Sequence, residues 1–178
     1  MPEIATVADR VLATLRPIPD YPKPGILFQD ITPVLRDEQL LREVVLEMCR
    51  PFRSSAITHV MGIEARGFIL GGAAAITLGA GFVPARKPGK LPWERATEAY
   101  DLEYGTDSLE AHRDAWNAGS RVLIVDDVLA TGGTARAAGQ LARGLGAEVV
   151  GWSFLIEIGA LKGRERLSGA ECHVVAET

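Results

Sequence analysis

Asp126 and Asp127 stand side by side at the end of an apolar run, Val122-Leu123-Ile124-Val125, and Val128-Leu129-Ala130-Thr131-Gly132-Gly133-Thr134 follows. Two adjacent carboxylates repel phosphate; they suit neighbouring hydroxyls, such as a ribose diol, or a metal ion. The loop behind them has the opposite character. Gly132 and Gly133 let the backbone fold tightly and aim its N–H groups outward, and Thr131 and Thr134 add hydroxyl donors. Beyond Thr134 the apolar residues fall at helical spacing (Ala137, Ala138, Leu141, Ala142 and Leu145), so the positive end of a helix lies just behind the loop. The residue types describe a phosphate cradle beside an acidic pair. No Gly-Lys-Ser/Thr follows, as a nucleoside-triphosphate loop requires, and GxGxxG is missing. The plain alternative is a strand–turn–helix with a glycine turn and a surface Asp pair. Two Asp at a strand end, in this local order, favour the chemical reading.

Two further stretches could meet an anion. In Glu64-Ala65-Arg66-Gly67-Phe68 a strand ends, a guanidinium projects and a helix begins, so Arg66 and a helix N-terminus converge. An ion pair of Arg66 with Glu64 at the surface is the competing account. Arg86-Lys87-Pro88-Gly89-Lys90 concentrates positive charge in a chain of net charge −4. It is either a solvated basic turn or the place where a multiply phosphorylated sugar is met, with Lys87 the stronger candidate and Lys90 the weaker.

These loops need a frame that brings them together. β-Branched apolar runs predict buried strands near 57–63, 82–86, 121–125 and 148–156, alternating with helices. The expected fold is α/β, a mainly parallel sheet flanked by helices, with ligands at the strand C-termini. Ile4, Val7, Ala8, Val11, Leu12 and Leu15 lie on one helical face. Pro17, Pro19, Pro22 and Pro24 make the next stretch extended and stiff, read as a strap over the domain rather than a linker. Ile26 to Pro33 reads by pattern as a buried edge strand. Asp37 is the expected N-cap of a helix carrying Leu40, Leu41, Val44, Val45 and Met48. Trp93 to Tyr104 shows no clean period, and Leu109 to Ala115 fits a helical turn or a strand. Leu161 to Leu167 looks helical, and Cys172 to Val175 reads as a last strand. His59 and His173 are expected to be structural.

The bulk numbers set outer limits. At 178 residues, 47% hydrophobic and 24% charged, the chain is expected to be a single globular domain spanning 1–178. Its acidic balance argues against a nucleic-acid or membrane surface. No apolar run approaches the roughly 20 residues of a membrane span, and no secretory signal pattern opens the chain. Cys49 and Cys172 have no metal-type spacing and read as free thiols. The expected compartment is the cytoplasm.

The order VLIVDDVLATGGT resembles the phosphoribosyl-pyrophosphate loop of the type I phosphoribosyltransferases. The resemblance implies that Asp126 and Asp127 meet ribose hydroxyls, while Ala130, Thr131, Gly132, Gly133 and Thr134 hold the 5′-phosphate. GIEARGF is similar to that family's pyrophosphate loop, which gives Arg66 to pyrophosphate and carries a cis non-proline peptide, expected near Glu64-Ala65-Arg66. RKPGKLP is similar to the segment that supplies lysines to phosphate, here Lys87 and Lys90. PGILFQDITPVLRD resembles the base-binding segment of the adenine-specific branch. That implies an N-terminal hood over about 1–35, in which Phe28 stacks on adenine and the backbones of Leu27 and Gln29 read its edge. Many members have Arg where Gln29 stands; a main-chain contact there leaves base choice intact. YDLEYG resembles the branch's catalytic loop, implying a flexible lid over about 90–108 with Glu103 near purine N7 for proton transfer and Tyr104 closing the site.

The activity implied is transfer of a phosphoribosyl group from phosphoribosyl pyrophosphate to adenine, giving AMP and pyrophosphate, with Mg²⁺ held mainly through the substrate near Asp126 and Asp127, in a homodimer. Three other readings compete: another base (hypoxanthine, guanine or xanthine), a non-catalytic phosphoribosyl-pyrophosphate-binding regulator, and a nucleoside-triphosphate-dependent phosphotransferase. LFQDIT and LEYG argue against the first. The second needs a DNA-binding domain that the roughly twenty residues before the proline strap are too few to form, and the third needs a lysine that the glycine loop lacks.

Overall fold

The computed structural model of the chain describes residues 5–101 and 106–178. Ile4, Glu103 and Tyr104 lie outside the described residues. The first helix, α1 (Val7–Thr14), opens on Thr6, whose hydroxyl accepts the Asp9 N–H at 3.1 Å while the Asp9 carboxylate accepts the Thr6 N–H at 2.9 Å. This reciprocal cap satisfies two otherwise orphaned donors. Two short strands follow, β1 (Arg16–Pro19) and β2 (Leu27–Asp30), paired antiparallel with Pro17 opposite Gln29. The proline strap is therefore itself an edge strand, a place where a missing N–H does no harm. After the short helix α2 (Thr32–Arg36), Asp37 caps α3 (Glu38–Cys49) by accepting the Leu40 N–H at 2.9 Å.

The centre is β3 (His59–Ile63), α4 (Gly67–Leu78), β4 (Gly81–Ala85), β7 (Arg121–Leu129), α5 (Gly133–Gly144), β8 (Glu148–Glu157) and β9 (Glu171–Glu177), with β5 (Arg95–Asp101) and β6 (Thr106–His112) forming a separate antiparallel hairpin. The five central strands run in the order β4-β3-β7-β8-β9, every pair parallel. Each expected strand is present, with ends moved by a residue or a few, but the stretch from Ile26 to Pro33 is not a buried strand: Ile26 and Leu27 are exposed, and Thr32 and Pro33 belong to α2.

Continuous apolar runs fit because both sheet faces are covered. Val60, Leu123, Val125 and Leu155 pack on the α1, α3 and α4 side, whereas Met61, Val122, Ile124 and Phe154 pack on the α5 and hairpin side. Successive residues thus enter opposite cores. α4 approaches the sheet closely because it is made of small residues: a Cβ on Gly71 would sit 3.2 Å from the Cα of Gly62.

Three further segments differ from their sequence patterns. Trp93 to Tyr104, without a clean period, contributes β5; Leu109 to Ala115, left between helix and strand, begins within β6, where Leu109 and Ala111 are buried. Cross-strand pairing, invisible in either segment alone, decides both. Leu161 to Leu167 forms parts of two short 3-10 turns, Gly159–Leu161 and Gly163–Arg166, rather than one helix.

Candidate active site

Strand order explains how distant loops meet. β4, β3 and β7 are neighbours and parallel, so the segments leaving their C-terminal ends (86–90, 64–66 and 130–132) emerge side by side at one edge. They border a cavity of about 390 Å³. One wall is Ile26, Leu27, Phe28 and Gln29; Arg66 and Lys87 form a basic side; Asp126, Asp127, Ala130 and Thr134 form the floor. A smaller recess of about 70 Å³ shares Asp126, Ala130 and Thr134 and adds Thr131, Gly132 and Gly133. The predicted site residues within the described part converge, with one exception. Lys90 is exposed and lines neither space; Gly89 turns the chain away with φ 76°, and the Lys90 carbonyl accepts from Arg86 Nη1 at 3.1 Å.

The glycine loop is shaped from outside as well as by its own residues. Gly132 caps α5 in the left-handed conformation, φ 79°. A Cβ there would lie 2.4 Å from the Gly163 carbonyl oxygen, and a Cβ on Gly163 would lie 2.1 Å from that of Ala130. The turn after β8 therefore presses on the back of the loop, and only glycine fits at both faces of the contact. On the other side, a Cβ on Gly67 would come within 2.8 Å of Asp126 Oδ1, so the start of α4 touches the acidic pair.

Charge is distributed by pairs between elements. Arg66 Nε donates to Asp127 Oδ2, and the Arg66 guanidinium lies 5.4 Å from the Phe28 ring centre. The surface pair with Glu64, open on sequence, does not form. Glu64 instead accepts from Arg86 Nε at 3.2 Å, from Arg86 Nη2 at 3.1 Å and from the Lys87 backbone N–H at 2.8 Å. These bonds, that of Arg86 first, hold its carboxyl below the usual range. Glu64–Ala65 is a cis peptide, within the expected stretch.

Burial works against the Arg66 charge, but Asp127, Asp126 and Asp30 outweigh it and raise its pKa. Asp126 is pushed well above the ordinary carboxylate value, first by burial and then by the neighbouring Asp127 charge. Its Oδ1 accepts the Asp127 N–H at 2.9 Å. A cation beside the pair would favour the charged form of Asp126. Among the described residues no group of three or more His, Cys, Asp or Glu is placed to hold a metal. Two adjacent carboxylates beside a phosphate cradle do fit a hard cation whose remaining ligands come from a substrate.

Phe28 is half-buried, with Tyr21 edge-on at 5.2 Å between ring centres. The basic turn is strapped to the hairpin: Arg86 and Glu110 exchange backbone bonds of 2.8 and 2.7 Å, and the Glu110 carboxylate accepts from Arg95 Nε and Gly89 N–H, both at 3.0 Å. Lys87 Nζ donates to Asp107 and, at 2.8 Å, to the Tyr100 hydroxyl. The roles of Tyr100, Asp107, Glu110 and Gly163, and the pairing of Glu64 with Arg86, are not visible along the sequence. No spacing marks them, because each partner sits on a different element.

Three aligned loops, one acidic and two basic, on a parallel sheet define the site of a phosphoribosyl-transferring protein, and residues 42–171 match the phosphoribosyl transferase domain family. The chain is 56% identical over 165 residues to an adenine phosphoribosyltransferase of Methylococcus capsulatus, covering 93% of this chain and 96% of the relative. It belongs to the adenine phosphoribosyltransferase family. The solved adenine phosphoribosyltransferase of Rhodothermus marinus superposes with a TM-score of 0.93 at 51% identity, covering 97% of this chain and 98% of the other. The Saccharomyces cerevisiae enzyme, complexed with an imino-altritol bisphosphate and adenine, has a TM-score of 0.88 at 41% identity, covering 94% and 98%. No helix among the described residues is long and apolar enough to cross a membrane.

Proposed function

We propose that the protein is an adenine phosphoribosyltransferase that moves the 5-phosphoribosyl group of phosphoribosyl pyrophosphate onto N9 of adenine, giving AMP and pyrophosphate in purine salvage. The observation that carries the proposal is the meeting of the Phe28 wall, the Arg66–Lys87 side and the Asp126–Thr134 floor on one cavity. The adenine bound to the yeast relative supports the choice of base.

Phe28 stacks on adenine, and the backbones of Leu27 and Gln29 read its edge. Ala130, Thr131, Gly132, Gly133 and Thr134 hold the 5′-phosphate against the N-terminus of α5. Asp126 and Asp127 take the ribose hydroxyls, and Arg66 and Lys87 face pyrophosphate, with Lys90 adding only to the surrounding field. Because Arg66 and Asp127 begin as a pair, the sugar diol and the pyrophosphate must divide them, each partner passing to one end of the substrate. Displacement at the anomeric carbon runs through an oxocarbenium-like state. Asp126 and Asp127 stand where a Mg²⁺ ion brought in on substrate oxygens would be met, and such an ion would supply charge neutralisation for the leaving group. Glu103 accepts a proton through N7, and Tyr104 closes a lid within about 90–108, the stretch that also contains the anchored residues Tyr100 and Asp107, so that water is kept from the activated sugar. Removing one acid–base group typically lowers rate ~10²–10⁴-fold. Glu103→Gln should lower kcat on that scale; a near-normal kcat would discard the role.

The protein works as a homodimer. Support comes from α3 and α4, where Leu46 and Ile69 are exposed and Ile76 is 85% exposed, beside an apolar groove of about 340 Å³. Its compartment is the cytoplasm, in keeping with Cys49 and Cys172 as free thiols. The deciding experiment offers adenine, hypoxanthine, guanine and xanthine in parallel with phosphoribosyl pyrophosphate and Mg²⁺. AMP formed from adenine alone is the expected result. Turnover of another base instead would overturn the roles of Leu27 to Gln29. Binding of the sugar without any turnover would point to a regulator.

A further inference from the structure

Lys87 is the cation of the basic turn that reaches the large cavity, and it arrives there already bonded. Its Nζ donates to Asp107 Oδ2 and to the Tyr100 hydroxyl, and that hydroxyl donates to the same Asp107 oxygen at 3.1 Å. Tyr100 and Asp107 are directly opposed across the β5–β6 hairpin. Tyr100 is 8% exposed and packs in the core on the α5 and hairpin side, which sets its position. The Lys87 main chain is held separately, by Glu64 on the pyrophosphate-loop side. One lysine is thus fixed at both ends by groups from different elements. Burial acts against its charge, yet the bonds from Asp107 and Tyr100 win and raise its pKa.

An ammonium has three donors and no acceptor. Two are used here, and one remains for a ligand in the cavity. A free lysine would have to give up its rotamer entropy each time it met an anion; a lysine already held does not. We infer that Asp107, together with Tyr100, is a positioning residue for Lys87, holding its ammonium at the cavity wall ready for the pyrophosphate group. The inference rests on the proposal that Lys87 faces pyrophosphate.

The sign of the effect separates this role from its opposite. If Asp107 merely competed with substrate for Lys87, removing it would strengthen sugar binding. If it positions Lys87, removing it weakens binding. The test is a double-mutant cycle of Asp107→Ala and Lys87→Met, read as KM for phosphoribosyl pyrophosphate and for adenine, and as KM for pyrophosphate in the reverse reaction. The side chain of Asp107 is 26% exposed, so its truncation leaves the core intact, and melting curves check this.

Asp107→Ala should raise KM for phosphoribosyl pyrophosphate and for pyrophosphate by about 10–30-fold, the scale set by ordering one lysine side chain. KM for adenine should stay within about twofold. In the Lys87→Met background Asp107→Ala should have little further effect. Tyr100→Phe, which keeps the ring, should show the same pattern more weakly. A lower KM for the sugar, an equal rise for adenine, or a full Asp107 effect without Lys87 would each overturn the inference. A Lys87→Met variant with unchanged KM for the sugar and for pyrophosphate would overturn the role of Lys87 as well; a weakened Lys87→Met beside an unaffected Asp107→Ala would overturn this inference alone.

Discussion

Gly163 lies outside the glycine loop, and changing it should damage phosphate binding. In Gly163→Ala the new Cβ would stand 2.1 Å from the Ala130 carbonyl oxygen and 3.0 Å from Leu129 Cδ1. The backbone of Gly163 is not in the left-handed region, so the clash, not conformational strain, carries the effect. Relief to 3.0 Å requires a shift of about 0.9 Å, the difference between that limit and 2.1 Å, and the obstacle is backbone on both sides. Overpacking of this kind costs about 1–3 kcal/mol. In a chain of 178 residues, at 2–4 °C per kcal/mol, that corresponds to a fall in Tm of about 2–12 °C. A misplacement near 1 Å can cost on the order of 10² in rate, so kcat/KM for phosphoribosyl pyrophosphate should fall about 10–100-fold. KM for adenine should barely move, because the Phe28 wall belongs to another element. The assay is steady-state kinetics with each substrate varied, alongside thermal melting. Gly144→Ala is the control: a Cβ there meets nothing within 4 Å, and stability should hold or rise by about 0.5–1 kcal/mol. Unchanged melting and sugar kinetics in Gly163→Ala would refute the buttress. A rise shared equally by adenine would show general collapse instead.

Other perturbations probe the paired charges. Arg66→Ala should weaken phosphoribosyl pyrophosphate binding with adenine affinity little changed, and should lower stability by about 1–3 kcal/mol because Asp127, 4% exposed, loses its charged partner; calorimetric titration showing unchanged sugar binding would end that role. Asp126→Asn keeps an oxygen to accept the Asp127 N–H, so urea stability should stay near wild type, while kcat/KM for the sugar drops about tenfold or more as a charged hydrogen-bonding group is lost; equal losses of stability and activity would contradict this. His173 is held below its ordinary 6.5, first by burial. As pH falls below about 6.5 the unfolded chain takes up this proton before the folded one, so stability present at neutral pH is progressively lost. Urea midpoints between about pH 6.5 and 5 should therefore slope less steeply in His173→Gln; identical slopes would remove His173 from the account.

Most of the frame was legible along the chain because it rests on local signals. The apolar runs at 57–63, 121–125 and 148–156 are long and β-branched, and a parallel sheet needs such strands to fill two cores. Asp37 before Glu38-Gln39-Leu40 marks a helix start through its own carboxylate. Asp126-Asp127 and Ala130 to Thr134 carry their chemistry in consecutive residues, so strand, acidic pair, cradle and helix could be read together. The hairpin was harder: neither Arg95–Asp101 nor Thr106–His112 has a strong period alone, and their strand character comes from pairing with each other. Lys87 was the stronger candidate on sequence and Lys90 the weaker, and in the fold Lys87 lines the cavity whereas Lys90 is exposed.

By itself, then, the sequence determined the strands of the central sheet, the order of the three loops and the residue types that can meet phosphate, hydroxyl and base. Only the tertiary structure decided how these residues are paired and supported. Arg66 could have bonded Glu64, two positions away, but strand order puts Asp127 within reach and leaves Glu64 to bind Arg86 and the Lys87 backbone. Gly163 supports Gly132 across a contact no local pattern records. Local stereochemistry and hydrophobic period act between near neighbours in sequence, whereas the electrostatic and packing choices of the site are settled between residues that meet only when β4, β3 and β7 lie side by side.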